Sequence, residues 1–161
     1  MTRFNSLLAL AATAALMTTQ AAAPAFAGAF SSFGGVWRGS GAITLSGGQK
    51  ERLTCKAYYT PKESGSRLGI AITCSSQANK IQLRANLDSS GSSVSGRWEE
   101  RAFNSSGKLS GRASGSKISL SISGTLRGTM SISTTSSSQS VNIRTDGTGF
   151  QAVNITLSRT S

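Results

Sequence analysis

Only two cysteines occur in the chain, and the residues around them leave little freedom in how it can pair. Within 51–75, the run Glu51-Arg-Leu-Thr-Cys55-Lys-Ala-Tyr-Tyr59-Thr-Pro61 is followed, after a polar stretch, by Arg67-Leu-Gly-Ile70-Ala-Ile72-Thr-Cys74-Ser75. Leu53, Cys55, Ala57 and Tyr59 alternate with polar neighbours, and so do Leu68, Ile70, Ile72 and Cys74, which is the period-two pattern of strands buried on one face. Placing Cys55 opposite Cys74 sets Ala57 opposite Ile72 and Tyr59 opposite Ile70, and leaves 62–66 to turn the chain. One register serves both the thiols and the apolar faces, so 51–75 is expected to be a hairpin stapled by a cross-strand disulfide.

Residues 1–27 carry the signature of a cleaved secretory signal. Arg3 supplies a short positive region, 7–17 an apolar run too short to span a bilayer, and Ala25-Phe26-Ala27 the small-x-small pattern recognised at cleavage sites. Cleavage is expected after Ala27, giving a periplasmic or secreted protein that is not integral to the membrane. In an oxidising compartment a lone facing pair of cysteines forms a disulfide. The chain has no His, and its two cysteines are too far apart for a Cys-x-x-Cys motif, so no metal ligand set and no cofactor is expected.

Beyond 35 the chain repeats the same grammar. Trp37, Gly39, Gly41, Ile43 and Leu45 alternate in the first run, and Ile81, Leu83, Ala85 and Leu87 in the fourth. Val94, Gly96 and Trp98 follow, then runs through Leu109, Ile118 to Ile122, Met130, Val141 and Val153 to Leu157, separated by Gly, Ser, Asn and Asp clusters. Turns are expected at 88–93 and 104–107, and 28–34 is expected to be a flexible leader to one domain, 35–161. Many evenly spaced strands in a meander predict an all-β, antiparallel up-and-down barrel of about 8–10 strands. Closure protects edges that have few charged residues to guard them.

Gly35-Val36-Trp37 opening the first strand and Arg159 ending the last resemble the calycin pattern of lipocalins and, more loosely, avidin-like barrels. That resemblance implies that Trp37 plugs a closed barrel end and that Arg159 packs across it. The run from Trp37 to Arg159, with Cys55, Cys74 and Gly96-Arg97-Trp98-Glu99-Glu100, is also similar to small exported bacterial proteins of unknown function. A carrier of the calycin kind implies a small apolar or amphipathic ligand in a cavity lined by Tyr59, Ile70, Leu83, Trp98, Leu120 and Met130, with Glu100 as a candidate polar acceptor. The chain is similar as well to small periplasmic metalloprotease inhibitors, which are Trp-bearing barrels with one disulfide, and the spacing of Cys55 and Cys74 is similar to theirs. That likeness implies that 28–34 is a free segment able to enter a protease cleft; the residues themselves read as a flexible terminus with Phe30 or Phe33 capping a barrel end.

Charge is strongly one-sided, with 17 Lys and Arg against 6 Asp and Glu. The expected register pairs Arg84 with Arg97 and Lys80 with Arg101, and sets Glu99 opposite Arg112. Lys80, Arg84, Arg97, Arg101 and Arg112 would then form a basic outer stripe suited to anionic envelope components such as lipopolysaccharide or acidic lipid. Nucleic acid is not expected as a partner, because the outward positions lack interleaved aromatics. Catalysis is not expected either. A nucleophile needs a base, and the adjacent acids Glu99 and Glu100 point to opposite faces of one strand. The residues therefore point to an exported binding or interaction module, whether carrier, envelope-surface protein or protease inhibitor.

Overall fold

Residues 27–146 and 149–160 are described by the computed structural model, and they form ten strands. These are β1 (Gly35–Leu45), β2 (Lys50–Lys62), β3 (Arg67–Ser75), β4 (Lys80–Ser90), β5 (Ser93–Glu100), β6 (Ser105–Ser114), β7 (Lys117–Gly124), β8 (Gly128–Thr134), β9 (Ser138–Thr145) and β10 (Phe150–Arg159). Each pairs antiparallel with its successor, and β10 returns to β1 to close the barrel. The alternation explains the wall. In β2 the buried Leu53, Cys55, Ala57 and Tyr59 are interleaved with Arg52, Thr54 and Tyr58 on the outside. Leu53, Leu68, Leu87, Ile118, Ile132 and Leu157 are almost wholly withdrawn from water, each such burial contributing roughly 1.5–3 kcal/mol.

The β2–β3 hairpin takes the register that the cysteines and apolar faces jointly demand. Cys55 faces Cys74, Ala57 faces Ile72 and Tyr59 faces Ile70, and the disulfide bridges Cα atoms 4.1 Å apart. This is the short separation of directly opposed residues on one sheet face.

The expected pairing of β4 with β5 is not what forms. These strands meet across the tight turn Gly91-Ser92, so that Arg84 faces Glu99 rather than Arg97, and Arg97 faces Asn86. A slip of two residues keeps every side chain on its own face, so the hydrophobic pattern cannot choose between the registers. The turn chooses, because Gly91 adopts φ +59°, the conformation a two-residue hairpin needs and an L side chain resists. At the next hairpin the turn is 101–104, ahead of the expected 104–107. This puts Ser105 to Gly107 in β6 and sets Glu99 opposite Ser106, while Arg112 faces Ser93.

Chain closure depends on close approach. A Cβ on Gly41 would collide with the Asn154 carbonyl oxygen and lie 2.8 Å from the Ile155 Cα. Neither obstacle can swing aside, because both are backbone.

One barrel end is stoppered by the segment expected to be flexible. Gly28 N–H donates to Ser64 O and Phe30 N–H to Gly65 O, both at 2.9 Å. Phe30 and Phe33 are completely buried. The physical reason is simple: two phenyl rings adjacent to an open apolar barrel end remove more surface from water inside it than in solution. Beside them the Arg159 guanidinium lies 4.2 Å over the Trp37 ring. It donates from Nη1 to Gly34 O and from Nε to Ser136 O, joining leader, last strand and the β8–β9 loop. Of the expected signal segment 1–27, residues 1–26 lie outside the described residues.

Two outcomes test this architecture. Replacing both cysteines, Cys55→Ala with Cys74→Ala, is expected to lower stability by about 3 kcal/mol through the restored freedom of the unfolded chain, seen as an earlier urea midpoint that reductant does not move further. Gly41→Ala is expected to cost at least about 2 kcal/mol, since the collision is with backbone of the closing strand. A melting temperature equal to the parent's would contradict that account of closure.

Candidate functional site: an apolar cavity open at one end

The half of the barrel away from Phe30 and Phe33 is hollow. Its cavity measures about 420 Å³ and is walled by Leu53, Ile72, Leu83, Trp98, Leu109, Met130, Val141 and Ile155 among others. Its mouth lies at the loops that follow β1, β3, β5, β7 and β9, where Leu45, Asn79, Phe103, Thr125, Leu126 and Phe150 form the rim. That volume falls within the range of about 300–1,000 Å³ usual for small-molecule sites.

Local backbone shapes the wall. Trp98 pairs with Gly107, which pairs with Gly124, so two successive strands offer no side chain beside the indole. The ring therefore leans across β6, and its Nε1–H donates to Ser123 O at 3.2 Å. A Cβ on Gly107 would sit 2.8 Å from that nitrogen and against the Ser123 carbonyl. The indole N–H is satisfied, and its apolar face is left to the cavity.

Glu100 is the one ionisable side chain among the described lining residues. It is 8% exposed, and both carboxylate oxygens are occupied. Gln82 N–H donates to Oε1 at 2.5 Å, and Phe103 N–H to Oε2 at 2.7 Å. The expected role as an acceptor for a ligand amine or hydroxyl is thus taken up by backbone. A carboxylate accepting two amides at a strand end is worth roughly 1.5–3 kcal/mol for each such bond. It clasps the start of β4 and the 101–104 turn, and so fixes Phe103, which is 60% exposed at the mouth.

Of the residues expected to line a cavity, Leu83, Trp98, Glu100 and Met130 do so. Tyr59, Ile70 and Leu120 also face inward but are buried outside the cavity lining. Sequence alternation places a residue on the inner face but says nothing of its depth along the barrel. The Tyr59 hydroxyl has no hydrogen-bond partner among the described residues, and burial pushes its pKa up.

The basic stripe is not continuous. Lys80 sits at the mouth opposite Ser75, Arg101 is in a turn and donates from Nε to Glu99 at 2.9 Å, and Arg112 lies between Ser93 and Ser119. Arg84 and Arg97 alone remain close, joined by Lys108, which sequence reasoning missed because the register that brings it opposite Arg97 was not the expected one.

No protein-family model and no curated protein matches the chain. Solved structures do. Rv2717c from M. tuberculosis superposes with a TM-score of 0.63 at 16% identity, covering 83% of this chain and 96% of its own. The S-type phycobiliprotein lyase CPES from Guillardia theta superposes with a TM-score of 0.55 at 13% identity, covering 82% of this chain and 90% of its own. The fold is a calycin-like β-barrel.

Two substitutions separate the cavity's parts. Glu100→Ala leaves two amides without their acceptor and is expected to cost about 2–3 kcal/mol, with amide exchange at Phe103 accelerating more than at Ile72. Tyr59→Phe removes an unpartnered hydroxyl and is expected to be neutral or stabilising near pH 7. Since burial makes the folded phenol ionise at higher pH than the unfolded one, its ionisation leaves stability unchanged below about pH 10 and lowers it progressively above. The Tyr59→Phe protein should therefore lose less stability than the parent between pH 10 and 12 in denaturant titrations.

Proposed function

We propose that the protein is an exported, non-catalytic carrier that holds a small apolar or amphipathic ligand in the open half of its barrel. The observation that carries this reading is the contrast between the two halves: one packed solid by Phe30 and Phe33, the other a cavity of about 420 Å³ with an apolar wall and an open mouth. A chain that needed only a stable core would have little reason to leave so many Leu, Ile and Val side chains around a void, because unfilled volume costs dispersion contacts. One similar fold belongs to a phycobiliprotein lyase. In this chain the engagement of both Glu100 oxygens by backbone amides supports binding over acid–base chemistry. The inhibitor reading needs 28–34 free, and the docking of Phe30 and Phe33 speaks against it. Export rests on the signal-like pattern of 1–27, and periplasmic fractionation with N-terminal sequencing at Gly28 would test it.

The two tryptophans make the binding test direct. Trp98 lines the cavity, whereas Trp37 lies beneath Arg159 at the closed end. A medium-chain fatty acid brominated along its chain is expected to quench Trp98 emission in the parent, and Met130→Trp, which fills the cavity, to weaken that binding at least about tenfold, or about 1.4 kcal/mol. Native mass spectrometry of gently purified protein should show a discrete adduct that the filled variant lacks. Equal quenching and equal adducts in both proteins would sink the carrier reading.

A further inference from the structure

Outside the barrel, β4, β5 and β6 present two parallel rows of side chains across three strands. One row is Arg84, Glu99 and Ser106, and the other is Asn86, Arg97 and Lys108. Between them runs a groove whose floor is the backbone around Trp98 and Gly107, the side chain of Trp98 having turned inward. We propose that this groove is a binding site for a phosphate group, with Arg97 and Lys108 as one cationic wall, Arg84 on the wall opposite, and Asn86 and Ser106 as neutral donors.

Three features of the groove argue for it. Arg97 and Lys108 are direct cross-strand partners, within about 4.5–5.5 Å at Cβ, where like charges destabilise a ladder. Such a pair persists most readily where an anion offsets the repulsion. The one carboxylate in the groove, Glu99, faces Arg84 in register yet is bound to Arg101 in the neighbouring turn, at 2.9 Å. Among the described residues, none of Arg84, Arg97 and Lys108 is in an ion pair. Finally, the chemistry matches an oxyanion. Two guanidinium forks and an ammonium supply donors for several oxygens at once, and the amide of Asn86 and hydroxyl of Ser106 add uncharged ones. A carboxylate ligand would use fewer of these donors than a tetrahedral phosphate.

The site is separate from the ligand cavity, which opens at the barrel end and shares only Trp98 with it. A protein with both could load an apolar cargo while held at a phosphorylated surface.

The test is a titration of the full-length mature protein with inorganic pyrophosphate, followed by amide NMR at two salt concentrations. Shifts are expected to concentrate at 84–86, 97–99 and 106–108, and binding to weaken as salt rises. Lys108→Glu is the decisive variant, because it gives Arg97 an opposite charge across the ladder. It is expected to melt no lower than the parent while binding pyrophosphate at least about tenfold more weakly, and Lys108→Arg is expected to restore binding. Vesicles containing phosphatidylglycerol and a soluble phosphorylated glycan then distinguish a lipid headgroup from a free phosphate as the source. Shifts scattered over all basic residues, or a Lys108→Glu protein that binds as well as the parent, would overturn the proposal.

Discussion

The wall stands because its first and last strands meet. Strands β2 to β9 each have a sequence neighbour on both sides, but β1 and β10 acquire their second partner only from one another, through a register running from Trp37 opposite Arg159 to Leu45 opposite Phe150. Without it both strands would present unpaired amides and carbonyls along their length, and the interior would open along a seam. Everything said of a cavity presupposes that contact. The glycines of β1 are what permit it: at Gly41 the closing strand comes near enough that no side chain fits. Those glycines carry an entropic cost in an isolated strand, and closure recovers it by pairing two full edges.

A second level of organisation divides the interior lengthwise. Both halves are built from the same alternating Leu, Ile and Val, yet one is filled and the other hollow, and the difference comes from two phenylalanines that belong to no strand. Phe30 and Phe33 occupy the end where Trp37 and Arg159 stack. Among the described residues the loops at the other end supply no equivalent stopper: Phe103 there is largely exposed, held at the rim by Glu100 rather than folded inward. Stability and capacity to bind are thereby assigned to different residues, so substitutions such as Met130→Trp can alter one with limited damage to the other.

How far the residues alone disclose this depends on which constraint is in play. Inner and outer faces were legible throughout, because burial follows parity and parity survives any even slip in register. The β2–β3 pairing was legible to the residue, since Cys55 and Cys74 had to agree with Ala57 opposite Ile72. The β4–β5 pairing was not. Its turn is embedded in Ser89-Ser90-Gly91-Ser92-Ser93, where many positions offer similar turn chemistry, and no disulfide arbitrates. The β5–β6 pairing was also open, its turn falling at 101–104 rather than 104–107; that second slip hid Lys108 and put Arg112 in a stripe it does not form, while the β4–β5 slip put Arg101 there. Depth along the barrel was equally illegible, because alternation has no term for which end is plugged, and so Tyr59, Ile70 and Leu120 looked like lining residues.

The docked leader also sets one event against another. The backbone at Gly28 is drawn against the turn of Glu63–Gly65, so tightly that a Cβ there would strike the Gly65 carbonyl carbon. A protease cutting the bond before Gly28 needs several residues on both sides extended and accessible. Once Phe30 and Phe33 have entered the barrel, those on the far side are no longer free. If the bond before Gly28 is cut, as the proposed export requires, the cut needs 28–34 undocked, so the seated stopper and an accessible cleavage bond exclude one another.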